Sequence, residues 1–197
     1  MTKSNEPSVK KELQGDFGVW LVIYVELFTF AVIFIGYSIA RHNNVEIFNE
    51  SQLLLNKSAG FLNTILLITS SWLVMRAVEN IKNVYNDFNT MKASKYLLYS
   101  IGFGAVFVVS KVAELVYIFG QGIHLSTNTF FTFYILLALF HLMHVLLGMF
   151  ILYVLYRNTY KGRYTQGKHV GLESGALYWH MVDLLWIVLF PLVYIMR

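Results

Sequence analysis

Cysteine is absent from the chain, so it carries no disulfide framework, no thiolate-held iron-sulfur cluster and no thiolate-bridged copper centre. Charge is scarce too: 13% of residues are charged against 57% hydrophobic, in 197 residues. A chain of that length lacks the interior to hide so much apolar surface from water, which excludes a soluble globule and makes lipid the solvent. No linker, repeat or low-complexity segment marks a second domain. The net charge of +4 is no sign of nucleic acid, because the Lys and Arg residues flank apolar runs, where they set topology.

What is present is a series of apolar runs at about Phe17 to Ala40, Ala59 to Val78, Tyr96 to Phe119, Thr129 to Tyr156 and Gly175 to Met196. Each is long enough to cross about 30 Å of hydrocarbon at about 1.5 Å per helical residue. The expected architecture is an all-α membrane protein: a polar tail over 1–16, then a single bundle of five transmembrane helices over 17–197. The first apolar run lacks a small-residue cleavage site, so the first span is expected to stay in the mature protein.

Lys3, Lys10 and Lys11 precede the first span, Arg76, Lys82, Lys92 and Lys95 lie between the second and third, and Arg157, Lys161, Arg163 and Lys168 between the fourth and fifth. The other side holds Arg41, Lys57 and Arg197. The positive-inside rule then puts the N-terminus in the cytoplasm and the C-terminus in the periplasm.

The informative residues are those that lipid excludes, since an ionisable side chain at mid-bilayer costs at least about 2.5 kcal/mol on insertion scales. Glu26 falls near the middle of the first span and is expected to face another helix. It reads equally as hydrogen-bonded bundle glue or as a functional group that handles protons or contacts a lipid headgroup. Lys111 and Glu114, three apart in the third span, share a face and are expected to form a buried ion pair. In FHLMHVLLG, His141, His144 and Gly148 lie on one stripe, with the glycine letting a neighbouring backbone approach the imidazoles. Interhelical hydrogen bonding is favoured there over metal ligation, which needs further ligands converging from other helices.

The last segment, GLESGALYWHMVDLLWIVLF, puts Glu173, Trp179, His180, Asp183 and Trp186 on about half of a helix that starts near Gly171. That half reads as a polar seam in which the indoles of Trp179 and Trp186 donate hydrogen bonds. A proton relay through His180 and Asp183 is the sharper alternative. Trp20, Tyr153, Tyr156 and Tyr194, near span ends, read as interfacial anchors.

On these residues the chain resembles subunit III of the haem-copper oxidase superfamily, through essentially all five spans. GLESGALYWHMVDLLW is similar to that family's closing signature, supported by Glu26, by LNTILLITSSW around Asn63 and Thr64, by Glu114, and by His141, His144 and Gly148. Among five-helix bacterial forms, KVAEL around Lys111, STNTFFTFY near Asn128 and the ending WIVLFPLVYIMR are most similar to the accessory protein encoded with nitric oxide reductase.

The resemblance implies a non-catalytic component of the bacterial inner membrane. It would bind no haem or metal itself, pack beside a catalytic haem-copper oxidase or nitric oxide reductase subunit, and support stability, assembly or, through the Glu26 span, proton supply. The longer family members have two further N-terminal helices that form a lipid-holding cleft with the rest. That cleft is not carried over to this five-span chain; membrane lipid, including a structural phospholipid, is still the other expected partner.

A catalytic subunit of the superfamily would need about six histidines converging inside the membrane, whereas His42, His124 and His169 fall in expected loops and leave His141, His144 and His180. The competing readings are a true subunit III of a terminal oxidase, a metalloenzyme built on His141, His144, His180, Asp183 and Glu173, and a proton or solute channel through Glu26, Glu114, His141 and Asp183.

Overall fold

The computed structural model describes residues 16–83, 87–165 and 167–196. Among them are helices α1 (Phe17–Asn43), α2 (Val45–Gln52), α3 (Lys57–Asn83), α4 (Asp87–Gly120), α5 (Thr129–Tyr160) and α6 (Val170–Phe190), the last continued by a π-helical turn over Pro191–Ile195. Five of these, α1 and α3 to α6, are long and apolar enough to cross a membrane. The expected all-α, five-span architecture is the one observed.

Side chains that can accept a backbone N–H open the helices. Asp16 caps α1 by accepting from the Gly18 amide at 3.3 Å, and Asn128 caps α5 by accepting from Phe131 at 2.9 Å. Glycine ends two of them. Gly122 and Gly162 take φ of 77° and 66°, the left-handed conformation that lets Ile123 donate back to Ile118 and Arg163 back to Asn158 and so satisfies carbonyls that α4 and α5 would leave open.

Neighbours in the bundle follow the chain: α3 lies along α4, α4 along α5 and α5 along α6, and α6 returns to α3. Short connections make successive spans alternate in direction. One rim therefore carries the starts of α1, α4 and α6 with the ends of α3 and α5; the far rim carries the end of α1, α2 and the π-helical turn. The first span, α1, rests outside this four-helix core against α5 and α6, and α2 ties its far end to α5. Large apolar residues such as Val25, Phe28, Val32, Ile35 and Ile39 stay on the outside of α1, as expected where lipid replaces water.

Two expectations, at His42 and Tyr194, need correction. His42 lies in the last turn of α1 rather than in a loop, because the helix runs past the end of its apolar run. The last span starts at Val170, beside the expected start near Gly171 and ahead of the apolar run at Gly175, with the intervening Glu173 paired by Lys82 and His169. Tyr194 is no interfacial anchor: it is fully buried. Pro191 cannot supply the backbone donor that an α-helix needs there, the chain widens into the π-helical turn, and the Tyr194 ring points into the core.

Candidate functional site

Polar side chains inside the bundle gather at three depths. Nearest the far rim, Lys111 of α4 is 2% exposed and donates to Glu114 Oε2 at 2.8 Å and to the Tyr194 hydroxyl at 2.8 Å. Tyr194 passes the interaction on by donating to Glu114 Oε1 at 2.7 Å. The rings of Trp186, Tyr194 and Tyr134 surround the ammonium at 5.0, 5.3 and 5.4 Å, distances at which the ring faces attract a cation. The expected Lys111 and Glu114 pair thus exists, and an aromatic box encloses it that the spacing alone did not show. Continuing the stripe Asp183, Trp186, Phe190 by one more step would have pointed to Tyr194.

At middle depth, His141 sits between Phe107 and Trp186, ring centroids 5.9 and 5.3 Å away. Neither of its nitrogens has a hydrogen-bond partner among the described residues. The Trp186 indole donates to Thr64 Oγ1 at 3.0 Å, as expected. Trp179 does not behave as expected: its Nε1 has no partner among the described residues. Its ring fills the space beside Gly148 and Gly104, where an added Cβ would lie 2.8 and 3.1 Å from the indole. The small Gly148 therefore admits an indole from α6 rather than a neighbouring backbone.

His180 and Asp183 meet at Ser71 rather than in a direct contact, since Asp183 also shares a side-chain hydrogen bond with that hydroxyl. His180 Nδ1 is hydrogen-bonded to Ser71 of α3, while Asp183 Oδ1 is without a partner among the described residues. Ser70 and Ser100 join α3 to α4 nearby, Oγ to Oγ at 2.7 Å.

The third group links α1 to the core. Glu26 Oε2 lies 2.9 Å from His144 Nε2, and His144 Nδ1 lies 2.7 Å from the Phe140 carbonyl. A carbonyl only accepts, so Nδ1 carries a hydrogen. One proton is then shared between Nε2 and Glu26, as carboxylate with imidazolium or carboxylic acid with imidazole. Edges and faces of Phe30 and Phe140 enclose the imidazole at 5.3 and 4.8 Å. The Glu26 side chain keeps 27% of its surface exposed, so the pair opens toward the outside of the bundle. Its carboxylate and its histidine come from α1 and α5, 118 residues apart, a pairing no local motif reveals.

Near the first rim, Glu173 pairs with Lys82 of α3 and approaches His169 Nε2 at 3.4 Å, and the Asp16 amide donates to Ser174 Oγ at 2.9 Å. The metalloenzyme reading requires its histidines and carboxylates to converge. Among the described residues no group of three or more His, Cys, Asp or Glu side chains is placed to hold a metal ion. The polar residues instead form small separate groups, such as the Lys111, Glu114 and Tyr194 triangle and the interhelical pairs Glu26 with His144 and Ser70 with Ser100.

Comparison with protein families matches residues 3–197 to the family described as Cytochrome c oxidase subunit III. Among curated proteins, the chain is 34% identical over 181 residues to cytochrome c oxidase subunit 3 of Synechocystis sp., covering 91% of this chain and 75% of that one. It is 35% identical over 136 residues to the same-named subunit of Thermostichus vulcanus, covering 68% of this chain and 64% of that one. It is also 29% identical over 186 residues to cytochrome bo(3) ubiquinol oxidase subunit 3 of Buchnera aphidicola subsp. Schizaphis graminum, covering 91% and 92%.

Proposed function

The chain belongs to the cytochrome c oxidase subunit III family, and from that premise we propose that it is the non-catalytic third subunit of a haem-copper oxidase system. It packs beside a catalytic subunit that carries the haem and metal, in a bacterial inner membrane. The N-terminus and the connections α3 to α4 and α5 to α6 lie on the cytoplasmic side, where Arg76, Lys82, Lys92, Lys95, Arg157, Lys161, Arg163 and Lys168 cluster.

The observation that carries this reading is the Glu26 and His144 pair. It holds one exchangeable proton at mid-membrane depth, on the outermost helix, with the carboxylate partly open to a neighbour. That is the placement a subunit needs in order to buffer protons for a partner rather than to conduct them through itself. Purification with the catalytic subunit tests it: the complex is expected to contain this chain in stoichiometric amount, and Glu26→Gln is expected to shorten the period of sustained turnover while leaving the initial rate unchanged. Equal decay of both complexes removes the proton-supply role. Stoichiometric haem on the isolated chain removes the non-catalytic one.

A second reading, that the partner reduces nitric oxide, rests on the sequence blocks similar to the nitric oxide reductase accessory protein. Two of them meet at the far rim, where Lys111 donates to Tyr194 at 2.8 Å, while Asn128 and the Val193 carbonyl bond instead to Ser51 and Gln52 of α2. Oxygen and nitric oxide consumption by the co-purified complex, measured side by side, separates the two partners.

A further inference from the structure

Two polar side chains of α6 meet one hydroxyl of α3, and one of the two opens outward. His180 and Asp183 stand three apart, so they project from the same side of the helix. His180 Nδ1 is hydrogen-bonded to Ser71, and the Asp183 carboxyl shares the same hydroxyl. Ser70, beside it, is paired with Ser100, so Ser71 is the hydroxyl left to bridge. Asp183 is 7% exposed and its Oδ1 has no partner among the described residues. The His180 ring is partly exposed, in line with Leu184, Ile187 and Val188 on the outer face of α6. With Nδ1 committed, the open edge of that ring is Nε2. His180 follows the helix start at Val170 by about 15 Å, which is mid-membrane depth.

A hydroxyl between a carboxyl and an imidazole has two self-consistent arrangements. In the first, Ser71 donates to the Asp183 carboxylate and accepts from Nδ1–H, and Nε2 is a bare acceptor. In the second, Asp183 is a carboxylic acid that donates to Ser71, Ser71 donates to Nδ1, and Nε2 carries the hydrogen. The two differ by one proton. A proton that arrives at Nε2 sends the Nδ1 hydrogen to Ser71 and the Ser71 hydrogen to Asp183. No bond between heavy atoms is made or broken, and the group passes from one negative charge to none.

We infer that His180, Ser71 and Asp183 form a second proton-storing site of the chain, filled and emptied through His180 on the outer face of α6. It does not rest on the Glu26 pair, which lies between α1 and α5. The other ionisable groups on the packed elements are engaged elsewhere. On α3, Arg76 is paired with Glu79, and Lys82 joins His169 at Glu173. On α5, His141 sits between two rings and His144 shares the Glu26 proton. Asp16 caps α1, and Tyr194 beyond Pro191 closes on Lys111 and Glu114. Among the described residues no further charged side chain acts on His180 or Asp183, so the site responds to the proton that reaches Nε2.

The test uses the full chain in lipid nanodiscs over a range of pH. Infrared difference spectra follow the carboxyl C=O band, and NMR of isotope-labelled histidine nitrogens follows the His180 tautomer. Wild type and Glu26→Gln are measured side by side, so that the two sites are read apart. A carboxyl band is expected to grow in both as pH falls, and in the Glu26→Gln background to vanish on adding Asp183→Asn. In step with that band, His180 is expected to exchange its Nδ1–H form for its Nε2–H form, the ratio moving about tenfold per pH unit as a single proton requires. Ser71→Ala is expected to uncouple the two changes, and Ser71→Thr, which keeps the hydroxyl, to preserve them. Thermal midpoints control for folding, and the two Ser71 variants decide the matter even where Asp183→Asn fails to fold.

A His180 ring that keeps one tautomer throughout, or that becomes an imidazolium while Asp183 stays charged, overturns the inference. So does a tautomer exchange that survives Ser71→Ala unchanged, because the hydroxyl then carries no proton between them. A carboxyl band that is lost in Glu26→Gln and kept in Asp183→Asn assigns the proton to Glu26 alone, which also overturns it.

Discussion

The four-helix core and the helix outside it solve the problem of polar groups in lipid in opposite ways. In the most hydrophobic window of α6, 61% of residues are buried inside the chain; in that of α1, 11% are. Within the core, Lys111, Glu114 and Tyr194 satisfy one another in a closed triangle, and Ser70 with Ser100 and Trp186 with Thr64 tie neighbouring helices. Among the described residues, the links from the outer helix to the core include one proton-sharing pair, a backbone donor to Ser174, ring contacts of Phe30 and Tyr37 with α5, and the α2 corner. Core polarity, the His180 group excepted, therefore specifies packing, whereas the polarity of α1 stays available for exchange with something beyond the chain.

The sharpest way to break this contrast is at Lys111. Replacing it by Met removes the cation from a box of rings and leaves the Glu114 carboxyl buried without its partner, which is expected to cost about 3–5 kcal/mol. Unfolding in detergent by heat or denaturant reads the loss. Adding Glu114→Leu to Lys111→Met is expected to return most of the stability, because an apolar pair of similar bulk needs no counter-ion. A double variant as unstable as the single one would mean that the triangle is not the closed unit described.

The contrast itself was only half legible in the sequence. Spans could be read because lipid demands length and apolarity, and buried polar positions because lipid excludes them, so Glu26, Lys111, Glu114, His144, Glu173 and Trp186 stood out before any coordinates. Depth can be read from such a pattern; facing cannot. Arg41 counted as a flanking topological charge, yet it turns inward and is buried. Tyr194 counted as an anchor, yet the π-helical turn after Pro191 swings it against Lys111. Trp179 was expected to donate a hydrogen bond and instead fills the space left by two glycines. The short helix α2 went unseen because its eight residues carry no long apolar run. Pairings across the chain, Glu26 with His144 above all, follow from how helices stack and leave no local signature.

A smaller effect separates the two regions by steric means. At Gly148 an added Cβ would meet the Trp179 ring at 2.8 Å, whereas at Gly36 on α1 the nearest atom, on the Phe133 ring, would be 3.5 Å away. Trp179 is held on both sides and has nowhere to retreat, so Gly148→Ala is expected to cost about 1–3 kcal/mol. The same change at Gly36 makes ordinary contact and is expected to be neutral or to stabilise by up to about 1 kcal/mol, the helix propensity gained on replacing glycine. Comparing the two variants in one detergent isolates packing from propensity. Equal losses would show α1 to be held as tightly as the core.

The least change in stability is expected where the functional consequence is greatest. Glu26→Gln keeps an oxygen and a nitrogen within reach of His144 Nε2, and the Phe140 carbonyl continues to hold Nδ1. An interhelical hydrogen bond in a membrane contributes about 0.6 kcal/mol on average, because the separated helices also find partners. The thermal midpoint should therefore move by no more than such a bond accounts for, while the shared proton disappears, since an amide cannot take part in the exchange. Infrared difference spectra of the chain at two pH values read this directly: a carboxyl C=O band or an imidazolium band that titrates in the wild type and is missing in Glu26→Gln assigns the proton to the pair. A variant that melts far below the wild type would instead make Glu26 a packing residue like Lys111, and the division between a closed core and an open outer helix would not survive.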